Sequence, residues 1–213
     1  IHHETNYRLF MLILNLVIGM MYLVFYQSVP TYLVLLIWLN AVMYIALNIN
    51  ISDWSKSITY PIYVSIPYCL LIIVRLQPIG AIWVTFILLS AWILDIFSYF
   101  SGMLFGKHLI APVISPKKTV EGLAGGLVFS GLFIFFTLRY VTNTPILSII
   151  VIALLLPLAG FLGDLFESLI KRRARIKDSG DLLAGHGGFL DRFDSILFIT
   201  ILFVFFQQVL HWI

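Results

Sequence analysis

Seven long apolar runs divide the chain, at roughly 9–26, 31–51, 58–74, 80–100, 121–141, 145–166 and 195–212. Each approaches the about 20 residues that a helix needs to cross a hydrocarbon core of about 30 Å. A segment in lipid must satisfy its own backbone hydrogen bonds, so every run is predicted to be a helix. Pro61 and Pro67 interrupt the third run and predict a kink there. Only two connections, 101–120 and 167–194, are both long and polar, and no internal repeat or low-complexity stretch breaks the pattern. The expected fold class is all-α: a polytopic membrane protein of about seven transmembrane helices.

Composition agrees. Hydrophobic residues make up 61% of the 213 and charged residues 11%, whereas soluble domains are nearer half apolar and a quarter charged. Such a chain cannot cover a globular surface with polar groups, which excludes a soluble domain, a disordered tail, a coiled coil and a secreted mini-protein. The lone Cys69 excludes a disulfide framework and a four-cysteine metal site. The first apolar run continues into further membrane segments, so no cleavable signal peptide is expected. The chain starts at Ile1, and an N-terminal portion is expected to be missing.

The net charge of +3 is small but unevenly placed. If all seven runs cross, both long loops share one side with the N-terminus and the 52–57 loop. That side then holds eleven of the 13 basic residues, leaving Arg75 and Arg139 on the other. Lys/Arg-rich short loops stay in the cytoplasm, so both polar loops are expected there.

Ionisable groups at membrane depth are costly and usually functional. Asp95, Tyr99 and Gly102 recur at spacings of four and three, a polar stripe that equally fits a carboxylate hydrogen-bonded to a neighbouring helix. In Gly160–Lys171, Asp164, Ser168 and Lys171 share one helical face, with Glu167 adjacent. A carboxylate, a hydroxyl and an ammonium so placed can hold a hydrated cation and a phosphate together, or simply form an internally paired helix end. The following loop carries five basic residues in seven positions, then the turn His186-Gly187-Gly188, then Asp191, Arg192 and Asp194 at the mouth of the last helix. Acidic groups there suit a helix N-terminus. Hard oxygen ligands beside many Lys/Arg are also what a Mg2+–phosphate site needs. In the other loop, Ser115-Pro116-Lys117-Lys118-Thr119 precedes a helix, with Thr119 as an N-cap and the lysines beside a terminus that suits an anion.

No GxxxxGK[ST], HExxH or GxSxG pattern is present, which argues against an NTPase motor, a zincin and a serine hydrolase. The residues favour metal-assisted phosphoryl or nucleotidyl transfer on a membrane-resident substrate, where catalysis is positioning and charge neutralisation. A transporter or ion pathway using Asp95, Asp164 and Glu167 is the alternative. Two phosphate-binding loops on one face speak against it, because a conduit needs access from both sides.

Ser168 to Arg172, Lys177 to Gly180 and His186 to Asp194 together resemble the signature of the phosphatidate cytidylyltransferases, over 27 residues of fixed spacing. Asp95, Tyr99, Gly102, Gly106-Lys107 and Ser115 to Gly122 resemble the upstream block of that family. The likeness covers roughly 80–212, while 1–79 match only as apolar helices. Two positions depart from the pattern: Ala184 stands where the family usually has Pro, and Ile96 where it usually has a small polar residue. Family members have about nine helices, which underlies the expectation of a missing N-terminal part.

The resemblance implies N-terminal transmembrane helices over 1–79 and a catalytic transmembrane domain over 80–213, in the inner (plasma) membrane with the site facing the cytoplasm. It implies a Mg2+-dependent reaction of CTP with phosphatidate giving CDP-diacylglycerol and pyrophosphate, with a monovalent cation such as K+ beside the Mg2+. Asp164 and Asp191 would be the metal ligands. Lys171, Arg172 and Lys177 would neutralise the triphosphate, and Lys117 and Lys118 would hold the lipid phosphate or the leaving group. His186 would orient a phosphate or donate a proton to pyrophosphate, unless it only packs in its loop. The implied substrate-binding set also takes in Asp95, Ser115, Ser168, Asp178, Gly187, Gly188 and Arg192. The expected partners are CTP, phosphatidate and the bilayer, with no nucleic acid; a homodimer is left open.

Overall fold

The computed structural model describes Val17 and residues 31–47, 53–176, 179 and 190–210. They fall into two compact units, Ile1–Pro78 and Ile79–Ile213. In the first, helix α1 (Thr31–Leu47) packs on helix α2 (Asp53–Leu76). Trp38 anchors that pair: its indole Nε1 donates to the Tyr63 carbonyl at 3.1 Å, and the two rings lie 6.3 Å apart. Helix α2 runs without a break through both Pro61 and Pro67.

The second unit is built from α3 (Gly80–Phe105), a hairpin of β1 (Leu109–Ala111) and β2 (Ser115–Thr119), α4 (Val120–Val141), α5 (Ile146–Arg173), a 3-10 turn (Leu190–Arg192) and α6 (Asp194–Val209). Helices α3 and α4 form the most extensive pair; α5 packs on both α4 and α6, and α3 also reaches α5 and α6. Trp83, Phe86 and Phe203 meet at the centre, Phe203 lying 5.4 and 5.7 Å from the other two rings. Two buried hydroxyls there are satisfied internally, that of Ser130 donating to the Ser90 carbonyl at 2.9 Å and that of Ser90 to the Phe86 carbonyl at 2.7 Å. Burying a hydroxyl without such a partner would cost about 1–3 kcal/mol.

Small residues set how close α3 and α4 come. A Cβ on Gly122 would stand 2.7 Å from the Ser98 carbonyl oxygen, and one on Gly126 2.8 Å from that of Leu94. Only glycine allows this approach, which is the usual way helices pack in lipid, where no hydrophobic force drives them together.

Helices α3, α4 and α5 are long and apolar enough to cross a membrane, and the protein is membrane-integral. These are three of the seven expected runs. Run 9–26 lies outside the described residues apart from Val17. Helices α1 and α6 have 17 and 16 residues, about 25 Å at 1.5 Å per residue, and the N-terminal part of α2 is polar.

Both polar loops are shorter than expected. Helix α3 continues to Phe105, and residues 109–119 form the hairpin rather than an irregular connection. Helix α5 runs on to Arg173, because its charged residues find partners without leaving the helix. It ends in a Schellman motif: Arg175 takes φ 57°, the Ile176 N–H donates to the Lys171 carbonyl at 3.0 Å and the Arg175 N–H to that of Arg172 at 3.1 Å.

Candidate active site

The hairpin is placed by its neighbours. Thr119 caps α4, its hydroxyl accepting from the Gly122 N–H at 3.1 Å, as its position before the helix predicts. In the first turn of α4, Glu121 reaches back across the hairpin. One carboxylate oxygen accepts from the Lys107 and His108 N–H groups at 3.0 and 3.2 Å, and the other lies 2.6 Å from His108 Nδ1. At the far end, Arg172 Nε donates to the Ile114 carbonyl at 3.2 Å. The ribbon carrying Ser115, Lys117 and Lys118 is thus tied to α4 at one end and α5 at the other.

Between ribbon and helices lies a cavity of ≈ 290 Å³. Asp95, Ser98 and Tyr99 of α3 line it, with Ser115, Lys117, Lys118 and Thr119 of the ribbon, Gly122 and Leu123 of α4, and Phe161 and Asp164 of α5. Lys118 and Asp164 form an ion pair across it, and the Lys118 ammonium lies 5.0 Å from the Phe161 ring centroid. Asp95 is close enough to feel both charges.

A second charged cluster stands further along α5. Lys171 Nζ contacts Glu167 at 2.6 Å and Asp191 at 2.8 Å. The other oxygen of Asp191 accepts from the Ser179 N–H at 2.9 Å. Glu167 is buried, as is Asp194, whose Oδ1 accepts from the Ser195 N–H at 2.6 Å. Asp194 feels the charges of Asp164, Glu167 and Asp95, so the carboxylates of α3, α5 and α6 gather at one end of the bundle.

Of the residues singled out in the sequence, Asp95, Ser115, Lys117, Lys118 and Asp164 come together around the cavity. Lys171 and Asp191 meet in the second cluster, with Glu167 between the two groups in the helix. Arg172 holds the ribbon, Ser168 is half-buried on α5, and Arg192 lies exposed in the 3-10 turn. Lys177, Asp178, Ala184, His186, Gly187 and Gly188 lie outside the described residues. Phe161, Ser98, Leu123 and Glu121 were not singled out as site residues. Phe161 and Leu123 carry no polar signal, and Glu121 reads as an ordinary first-turn acid.

Among the described residues no three carboxylate, histidine or cysteine side chains form a ready metal cage. Mg2+ does not require one, since it is commonly held by one or two carboxylates together with substrate phosphates and water. The donor chemistry here suits it, because the gathered groups are carboxylate oxygens. Ser98 and Ser195 add buried hydroxyls that have no hydrogen-bond partner among the described residues.

Fold and site together describe a membrane-embedded protein whose helices support a pocket of carboxylates and lysines, the equipment for handling phosphates and cations. The chain belongs to the Cytidylyltransferase family, whose family model matches residues 2–210. Over 121 residues it is 45% identical to a phosphatidate cytidylyltransferase of Staphylococcus saprophyticus subsp. saprophyticus, covering 56% of this chain and 46% of that protein. It is 40% identical over 130 residues to one of Aquifex aeolicus, covering 61% and 48%, and 43% identical over 122 residues to one of Staphylococcus aureus, covering 56% and 46%. The chain spans about half the length of the curated relatives it matches.

Proposed function

We propose that this protein transfers the cytidylyl group of CTP to phosphatidate, releasing pyrophosphate and forming CDP-diacylglycerol for phospholipid biosynthesis. The observation that carries this reading is the cavity, which sets two lysines of a ribbon against two carboxylates of apolar helices. An anionic headgroup and a cation can be held there together while acyl chains stay in lipid. The names of the relatives support the choice of CTP and phosphatidate.

A phosphatidate oxygen attacks the α-phosphorus of CTP, a new P–O bond forms, and the bond to the oxygen bridging the α- and β-phosphorus breaks. Pyrophosphate leaves with that electron pair. The nucleophile is already an anion, so no strong base is needed. The barrier is repulsion between two anions and charge growing on the leaving group, which fixed cationic groups lower. Lys117 and Lys118 line the cavity and would hold the lipid phosphate or the leaving group, while Lys171 and Arg172, in the last turn of α5, would neutralise the triphosphate. Asp164 and Asp191 would hold Mg2+, with K+ a further candidate. When bound, Mg2+ would supply positive charge that offsets the charge of the phosphates.

The test is incubation of the purified full-length protein with labelled CTP and phosphatidate, with and without Mg2+. Pyrophosphate and a labelled lipid should appear only when CTP, lipid and Mg2+ are all present. Pyrophosphate release without lipid would refute the reading.

We also place the site on the cytoplasmic face of the cell membrane, as the eleven-to-two division of basic residues suggests. In a variant lacking Cys69, which is buried and the chain's one cysteine, cysteines at positions 115 and 179 should react with an impermeant maleimide only from the cytoplasmic side. Labelling of either from outside would reverse the orientation.

A further inference from the structure

The contact between Lys118 and Asp164 has a chemical consequence. The Lys118 ammonium is closed off from solvent. Among the described residues it contacts the Asp164 carboxylate and the face of Phe161, and it feels the charge of Asp95. It makes no further hydrogen bond among them, although an ammonium has three donors. The group is therefore held by charge and by the ring quadrupole rather than by a hydrogen-bond network. Its stem is four flexible carbons, so the head can move without disturbing the ribbon backbone. Asp164 is also the carboxylate assigned to the divalent cation, and an ammonium and a dication on one carboxylate oppose each other.

We propose that Lys118 is the resident counter-ion of Asp164 and changes places with the divalent cation. This deepens the function proposed above and rests on it. Before the cation binds, Lys118 neutralises Asp164 and keeps a bare carboxylate from sitting against apolar helices. When the cation arrives, the ammonium is displaced into the cavity beside Lys117 and becomes available to a phosphate. Cation and phosphate binding are thereby coupled, and the coupling is reciprocal. A phosphate that draws Lys118 away also opens Asp164 to the cation.

The role makes an unusual prediction, that removing a site lysine tightens cation binding. The full chain in detergent, without CTP or phosphatidate, is titrated with Mn2+, with free Mn2+ read by electron paramagnetic resonance. Melting temperature against Mg2+ is the second readout. Lys118→Gln should bind Mn2+ about tenfold more tightly than wild type, or about 1.4 kcal/mol. Lys118→Arg, which keeps the charge, should stay within about twofold of wild type, under about 0.5 kcal/mol. Asp164→Asn should bind more weakly than either. If Lys118→Gln does not fold, Lys118→Met takes its place with the same expectation.

Unchanged or weaker Mn2+ binding in the neutral variant overturns the counter-ion role. If wild type still turns over CTP and phosphatidate in that case, the proposed activity survives and only the exchange falls. If wild type neither binds Mn2+ nor turns over, both fall.

Discussion

Asp164→Asn and Asp191→Asn are each expected to abolish turnover, and each should also flatten the rise in melting temperature that Mg2+ gives the wild type. Both substitutions are nearly isosteric and remove one negative charge. The structure supplies a competing role for each residue, since Asp164 pairs with Lys118 and Asp191 with Lys171. The two roles separate on stability. Lys171 keeps Glu167 when Asp191 is neutralised, so that variant should melt close to wild type in the absence of Mg2+. Lys118 keeps the face of Phe161 and the charge of Asp95, but no contacting carboxylate among the described residues, when Asp164 is neutralised. Removing one partner of a fully buried pair costs about 3–5 kcal/mol. These side chains are 18% and 29% exposed, so a loss of about 1–3 kcal/mol is the expected scale. Melting temperature and activity against Mg2+ concentration, measured on both variants, decide the matter. Full activity with unchanged Mg2+ dependence in either one removes that residue from the site.

Gly122→Val is expected to destabilise the protein by about 2–3 kcal/mol, the upper part of the range for overpacking. Its Cβ would meet the Ser98 carbonyl oxygen at 2.7 Å and the Gly102 Cα at 3.2 Å, both backbone atoms that no rotamer change can clear. Replacing a helical glycine by alanine normally gains about 1 kcal/mol of helix propensity; valine gains less and brings two methyl groups into the seam. Because Gly122 also lines the cavity and donates to the Thr119 cap, turnover should fall with stability. Ala124→Val, on an exposed position of the same helix, is the control and should melt near wild type. Equal melting of the two variants would mean that α3 and α4 do not pack tightly here.

The apolar pattern located α3, α4 and α5 to within a residue at their starts, because a run of lipid-facing side chains is a strong signal. The apolar runs alone stop short of the ends of α3 and α5, although the spacing of Asp164, Ser168 and Lys171 places those three on a helix. Ser101 and Gly102, and then Glu167 and Lys171, look like the onset of a loop by polarity alone. In the fold they remain helical: Gly102 lies against Thr119 and Gly122, and Lys171 joins Glu167 to Asp191. The hairpin was not legible. Leu109–Ala111 is three residues long, its partner strand contains Pro116, and its register is irregular between Leu109 and Ala111.

The residues around the cavity were mostly named in advance, since lysines and carboxylates stand out in so apolar a chain. Which of them meet was not. Lys118 and Asp164 are far apart in sequence, and the sequence grouped Asp164 with Lys171 on one helical face. In the structure Asp164 faces the ribbon while Lys171 turns to the turn before α6.

The length of α5 works as a depth gauge. Its 28 residues span about 42 Å at 1.5 Å per residue, more than a hydrocarbon core of about 30 Å. With Ile146 at one boundary, Asp164 stands about 27 Å along, just short of the opposite boundary. Lys171, about 37 Å along, then lies beyond it in the headgroup zone. The two charged clusters therefore straddle the level at which a glycerophospholipid carries its own phosphate. A lipid could present that group sideways from its leaflet, without being lifted toward water. In the proposed reaction only the soluble reactant would have to travel, down to the plane of the headgroups.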